Sequence, residues 1–178
     1  MALLPERLET RRLRLRAPVP ADDDAIFTAW GQDPAVFRYI AGPPHESVAD
    51  TRRFIAECLA GWQNGTRLVW VLTDRDVDAP IGTIEARPAG STVALGCVLA
   101  RSRWGSGLMP EAIAAITDAC LARPELFRVE AVCDTENHAS ARALERSGFV
   151  REGRLERYGI HPNISPEPRA VFMYARIR

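Results

Sequence analysis

Gly105 and Gly107 stand between a strand-like run at 92–99 and a helix-like run at 111–122, and they invite chemistry by what they lack. Without a Cβ, each lets a ligand come close to the backbone. The helix that follows offers unpaired N–H groups at its start, with the positive end of its dipole behind them. Strand, glycine turn and helix N-terminus together make a cradle for a pyrophosphate. The rest of the composition narrows which pyrophosphate. The chain contains no lysine, and all 23 of its basic residues are arginine. A P-loop, a protein-kinase strand lysine and a pyridoxal-phosphate Schiff base each require lysine, so none can be built. A dinucleotide fold asks for Gly-x-Gly-x-x-Gly beside its first strand. Here Pro110 fills the third glycine position and the motif lies past mid-chain. A cofactor pyrophosphate held mainly by backbone amides fits these residues better than a nucleotide phosphate.

Other chemistries leave fewer marks. His45, His138 and His161 show no metal-ligand spacing, so no metal is expected. Cys58, Cys97, Cys120 and Cys133 form no Cys-x-x-Cys pair and read as reduced core thiols of a cytoplasmic protein. Acidic and basic residues balance at 23 each, which speaks against nucleic acid or an anionic membrane as partner. The arginine-rich N-terminus, residues 1–16, has no apolar h-region, and no run is long and apolar enough to span a bilayer. With 47% hydrophobic and 26% charged residues, the 178 residues read as one ordinary globular domain, 1–178.

The elements that must position the glycine turn follow from periodicity. Residues 12–16 alternate as an edge strand, and an acidic first turn at 22–24 opens a helix that ends near Asp33-Pro34. Ser47 caps a longer helix with Thr51, Ile55, Cys58 and Trp62 on one face and Gly65 as its C-cap. Strands are expected at 67–73, 81–86 and 92–99, separated by turn-rich segments. Ile113, Ile116 and Cys120 mark the core face of the central helix, and a strand follows at 127–133. Asn137 caps a short helix that stops at Ser147-Gly148, and strands at 149–154 and 171–177 close the chain. Trp30, Trp62 and Trp70 read as core, and Trp104 as a packing wedge beneath the loop. The order predicts an α/β fold with a mixed sheet, not a regular Rossmann alternation.

With these residues in place, the chain resembles a known family. Arg103-Trp104-Gly105-Ser106-Gly107-Leu108-Met109-Pro110-Glu111-Ala112 is similar to the acetyl-CoA loop of the GNAT N-acetyltransferases. Asn137-His138-Ala139-Ser140-Ala141-Arg142-Ala143-Leu144-Glu145-Arg146-Ser147-Gly148-Phe149 resembles that fold's second motif, in the form found in its RimJ/RimL-like branch. The opening run from Leu8 to Arg16 resembles the first strand of the same branch. The resemblance implies a GNAT fold: a mostly antiparallel central sheet flanked by helices, with splayed strands at the acetyl-CoA site.

It also implies roles. The amides of Arg103, Trp104, Gly105, Ser106, Gly107, Leu108 and Met109 would hold the CoA pyrophosphate. Val98 and Leu99 would pair with the pantetheine as with an extra strand. Asn137 and Ser140 would flank the thioester, with Ala141, Arg142 and Leu144 along the cofactor. Leu144 fills the position where many members carry a tyrosine that protonates the leaving thiolate. Ser140 is the substitute, or else it supports the start of its helix. Glu85 and Glu156 stand as candidate general bases, or else as solvated acids. Glu111 is explained by the helix dipole, and Arg142 by a CoA phosphate or by a pair with Glu145. The implied activity is acetyl transfer to a primary amine, on a protein N-terminus or a small molecule. The alternative is an acyl-CoA-binding or sensing module without turnover. Acceptor loops are expected at 33–47 and 157–169, and edge strands make a homodimer plausible.

Overall fold

The computed structural model describes residues 4–178, so the part of the N-terminal reading that falls on Met1, Ala2 and Leu3 lies outside the described residues. Among the described residues eight strands form one sheet: β1 (Arg7–Glu9), β2 (Leu13–Arg16), β3 (Leu68–Asp74), β4 (Pro80–Ala89), β5 (Thr92–Leu99), β6 (Arg128–Asp134), β7 (Val150–Gly159) and β8 (Arg169–Ile177). Their spatial order is β1-β2-β3-β4-β5-β6-β8-β7. Among the described residues only β5 and β6 pair in parallel; every other pairing is antiparallel. The helices are α1 (Asp23–Ile26), continued by a π-helical turn at Phe27–Gly31, then α2 (Pro34–Phe37), α3 (Val48–Asn64), α4 (Leu108–Leu121) and α5 (His138–Arg146).

The caps read from the sequence act as expected on α3. Ser47 is its N-cap, and Gly65 closes it in the left-handed conformation at φ 72°. Two local expectations need correction. The strand at 12–16 is not an edge, because the short β1 turns back through Thr10 and pairs outside it, Arg7 opposite Arg16. The chain also re-enters a helix at Pro34, since Asp33 accepts the Ala35 N–H at 2.9 Å and starts α2.

Alternation along the strands sends side chains to two layers. Leu68, Trp70 and Leu72 of β3, with Ile84 and Ala86 of β4, join Ile113, Ile116 and Cys120 of α4 in the larger core. On the opposite face, Val71 packs with Ile26, Trp30, Phe37 and Ile55. Trp62 and Trp70 meet edge-on at 5.0 Å, and each indole N–H donates to a backbone carbonyl, of Val69 and Pro5.

The sheet is divided at one place. β5 and β6 pair through three residue pairs, Thr92 with Arg128, Val93 with Val129 and Ala94 with Glu130. Beyond them β6 follows β8 up to Asp134, while β5 follows β4 up to Leu99. Between the ends of β5 and β6 the sheet is split, as the resemblance implies for splayed strands.

Candidate active site

The split opens beside the N-terminus of α4. β5 ends at Leu99, a 3-10 turn takes Arg101–Arg103, and Gly105 and Gly107 follow with φ of 73° and 75°. Both angles lie in the left-handed region that favours glycine. Gly107 is the residue from which α4 springs.

Arg12 holds this loop from behind. Its guanidinium donates to the carbonyls of Ser106 and Gly107, each at 2.9 Å, and its Nε donates to Glu111 at 2.7 Å. In a trans peptide the carbonyl and the following N–H point opposite ways. With those two carbonyls turned onto Arg12, the N–H groups of Gly107 and Leu108 face away from it.

Glu111 does more than answer the helix dipole. Its carboxylate accepts the Thr10 hydroxyl at 2.6 Å and the Arg12 backbone N–H at 2.8 Å, so it ties the β1–β2 turn to α4. Burial alone would raise the Glu111 carboxyl, but the hydrogen bonds from Thr10 and Arg12 outweigh it and hold it below the usual carboxylate range. A depressed acid contributes its stability above its unfolded pKa and loses it as pH falls through the folded one. Glu111→Gln is therefore expected to lower the melting midpoint at pH 7 by about 4 °C, for a loss of about 1–2 kcal/mol. That gap closes as pH falls below about 4. Thermal melts of both proteins across pH check it, and a gap that stays constant to low pH contradicts it.

Trp104 corrects a sequence expectation. It is not a wedge beneath the loop, for it is 51% exposed. Its indole N–H reaches back to the Leu99 carbonyl at 2.8 Å and so folds the ring over the end of β5. Arg103 is ion-paired with Asp74 at the end of β3. Beside this pair a cleft of about 510 Å³ runs along the flank of the loop, lined among others by Arg11, Arg12 and Arg75.

Across the split, α5 begins where β6 ends. Asn137 accepts the Ser140 N–H at 3.1 Å and caps α5. The Ser140 hydroxyl lies against the Cys133 thiol. Burial pushes that thiol up to about 11, and the hydrogen bond with Ser140 works in the other direction. Ala141 is half-buried, and Leu144 is buried in the larger core. Arg142 is exposed and forms no ion pair among the described residues, because Glu145 accepts the Tyr174 hydroxyl at 3.0 Å instead. Burial pushes the Cys97 thiol up to about 12, so at neutral pH it is no thiolate nucleophile.

The two acids read as candidate bases both carry arginines. Glu85 is held between Arg67 and Arg87, each at 2.6 Å, and its carboxylate fills the space that a Cβ on Gly96 would need. Glu156 pairs with Arg154 at 2.9 Å on exposed β7.

Two further features had no sequence signal. Asn163 donates through its side-chain amide to the carbonyls of Phe37, Ile40 and Gly42, and so joins the loops at 33–47 and 157–169. Under that junction His161 faces Asp134, which Arg169 also binds.

The comparisons agree with this geometry. The family profile described as acetyltransferase (GNAT) domain matches residues 12–150. An uncharacterised N-acetyltransferase of Bacillus subtilis (strain 168), YoaA, is 30% identical over 174 residues, covering 96% of this chain and 97% of that one. Among solved structures, the microcin C7 self-immunity acetyltransferase MccE, in complex with acetyl-CoA and AMP, superposes with a TM-score of 0.87 at 19% identity over 99% of both chains. The RimL ribosomal L7/L12 α-N-protein acetyltransferase, in complex with coenzyme A, gives 0.83 at 20% identity over 98% of this chain and 97% of that one. Those two likenesses are of fold. The profile and the near-full-length relative settle the family: this chain belongs to the GNAT acetyltransferases, acyltransferases that draw on acetyl-CoA.

Proposed function

We propose that this acyltransferase moves acetyl from acetyl-CoA directly onto a primary amine in the cytoplasm, the amine being a protein N-terminus or a small molecule. One observation carries the reading: the split between β5 and β6 opens onto the amides at the start of α4. When bound, acetyl-CoA supplies an activated acetyl thioester. The chain's own residues bind it, orient it and move protons. The amides of Gly105, Ser106, Gly107, Leu108 and Met109 receive the pyrophosphate at the positive end of the α4 dipole, whereas those of Arg103 and Trp104, expected to join them, already donate to the Ala100 and Arg101 carbonyls at 2.9 and 3.2 Å in the 3-10 turn. Val98 and Leu99 offer the open edge of β5 to the pantetheine. The Leu99 carbonyl already accepts from Trp104, so a ligand there uses its second lone pair or displaces the indole. Asn137, Ala141 and Arg142 line the α5 side of the split, with Leu144 behind them in the core.

Ser140 donates a proton to the leaving thiolate. Its hydroxyl sits at the helix start across the split from β5, where the Leu144 position supplies no phenol. Ser140→Ala should lower kcat by about a hundredfold, within the range of a lost general acid, and leave the KM for acetyl-CoA within about twofold. An unchanged kcat removes Ser140 from the chemistry. As for partners, acids and bases balance in number, so an amine substrate rather than nucleic acid or membrane is the partner, and a second copy would pair along the open edge of β7.

The test is release of free thiol from acetyl-CoA against N-terminal peptides, polyamines and aminoglycosides. Acceptor-dependent release supports the reading and starts to name the substrate. CoA binding without release under any acceptor favours a binding module and defeats it.

A further inference from the structure

We propose that His161 is the general base that takes the proton from the acceptor amine, held for that task by Asp134. The proposal rests on the acyl-transfer reading above and supplies the proton acceptor it needs. His161 follows β7, and its side chain is 14% exposed. Both ring nitrogens are buried, and neither has a hydrogen-bond partner among the described residues. A neutral imidazole has one N–H to give and one lone pair to fill, and buried polar atoms in folded proteins are nearly always satisfied. Two orphaned nitrogens on one ring point to a partner that arrives with the ligand.

The surroundings suit a base. His161 Nε2 lies 3.7 Å from Asp134 Oδ2, and the Asp134 side chain is fully buried. Catalytic hydrogen bonds run long in ligand-free structures and tighten in the complex. With Nε2–H given to Asp134, the Nδ1 lone pair is the free proton acceptor. Burial would raise the Asp134 carboxyl, but Arg169 outweighs it, so this acid stays charged. Arg169 binds Asp134 at 2.6 Å and Glu136 at 2.9 Å. Asp134 thus presents a charged carboxylate to the ring on one side and is anchored by Arg169 on the other. Tyr39 meets the ring edge-on at 6.1 Å.

Position completes the case. Successive residues of a strand point to opposite faces of the sheet. At the end of β6, Cys133 carries Ser140 on one face and Asp134 carries His161 on the other. An acid for the leaving sulfur and a base for the incoming amine thus stand on opposite faces of the sheet at the β6 end of the split. His161 also lies under the junction that Asn163 makes between the two acceptor loops. Glu85 and Glu156 are each ion-paired with arginine, whereas the His161 nitrogens have no partner among the described residues.

The step balances. The ammonium of the acceptor gives one proton to His161 Nδ1, and the freed nitrogen pair forms the C–N bond at the acetyl carbonyl. The C–S bond breaks with its pair going to sulfur, which is protonated from Ser140. The nitrogen's surplus proton restores Ser140, and His161 returns its own proton to solvent.

The experiment compares wild type with His161→Gln in thiol release from acetyl-CoA, over pH 6 to about 9.5. Acceptors are a peptide with a free N-terminal amine, spermidine and kanamycin. With the accepted amine, kcat/KM should fall about a hundredfold at pH 7, while the Kd for CoA stays within about twofold. The deficit should shrink as pH approaches the amine's own pKa, about 8 for an α-amine, where water supplies the neutral nucleophile. Equal rates overturn the proposal, and so does a deficit constant across pH, which marks a structural role. A pH-dependent deficit in Glu85→Gln instead of His161→Gln also overturns it. If His161→Gln loses CoA affinity, His161→Ala with added imidazole decides: recovered rate supports the base, and no recovery overturns it. Wild type that binds CoA and releases no thiol overturns acyl transfer itself, a failure distinct from loss of the base alone.

Discussion

Gly107→Val is expected to weaken CoA binding by about a thousandfold while the protein still folds. Crowding within the protein is not the cause. A Cβ at Gly107 would meet only Arg12 Nη2, at an ordinary contact distance of 3.5 Å. The cause is the backbone, whose φ of 75° a β-branched residue occupies at a cost of about 1–3 kcal/mol. Relief requires the peptides on either side of residue 107 to rotate. Rotation takes the Ser106 and Gly107 carbonyls off Arg12 and swings the Gly107 and Leu108 amides away from the phosphates. Each such hydrogen bond to a charged group contributes about 1.5–3 kcal/mol, so losing two accounts for roughly three decades of affinity. Isothermal titration with CoA measures it directly. Affinity within about threefold of wild type would remove the loop from phosphate binding. Gly107→Ala, with no β-branch, should retain more affinity than the valine variant.

The largest expected change in stability lies nearby, at Gly82. There β4 passes so close to β5 that a Cβ would stand 2.3 Å from the Val98 carbonyl and 3.1 Å from the Leu99 Cα. Both neighbours are backbone and cannot move aside as a flexible side chain would. Gly82→Ala should therefore destabilise by about 3 kcal/mol, the upper part of the usual overpacking range. The damage falls on function as well. Val98 and Leu99 form the β5 lip of the split, so pushing them off β4 narrows the space for pantetheine. Urea unfolding followed by CoA titration separates the two effects. A variant with wild-type midpoint and wild-type affinity would mean that the strands separate there without strain.

These predictions show where local sequence reading stops. The caps of α3 and the strand alternation of β3 to β5 are local, because one residue's donor or periodicity fixes them. The glycines at 105 and 107 are local too, since a left-handed turn needs glycine wherever it occurs. Arg12 and Glu111 are 99 positions apart, and nothing near either residue announces the other. Alternation at 12–16 marked a strand, and it took the fold to show that Arg12 also clamps a distant loop. Asn163 stands in a proline-rich loop with no periodicity of its own, yet it joins two loops more than 120 residues apart. His161 carried no metal spacing and was set aside on that ground. Its meaning lies in Asp134, which a strand end brings to it. Pairings made only by the closed sheet leave no trace in a window of ten residues.

The split between β5 and β6 has a mechanical consequence. Five strands on one side and three on the other are hinged by three residue pairs, so the molecule resembles two leaves on a short spine. A ligand bonded to both lips closes the open length of that spine and acts as a clasp. Its binding energy then adds to the cohesion between the leaves, growing with the logarithm of ligand concentration over Kd. Hydrogen exchange at the ends of β5 and β6 should slow when CoA is bound, more than at β1 or β7. The durability of this protein is thus tied to how much cofactor surrounds it.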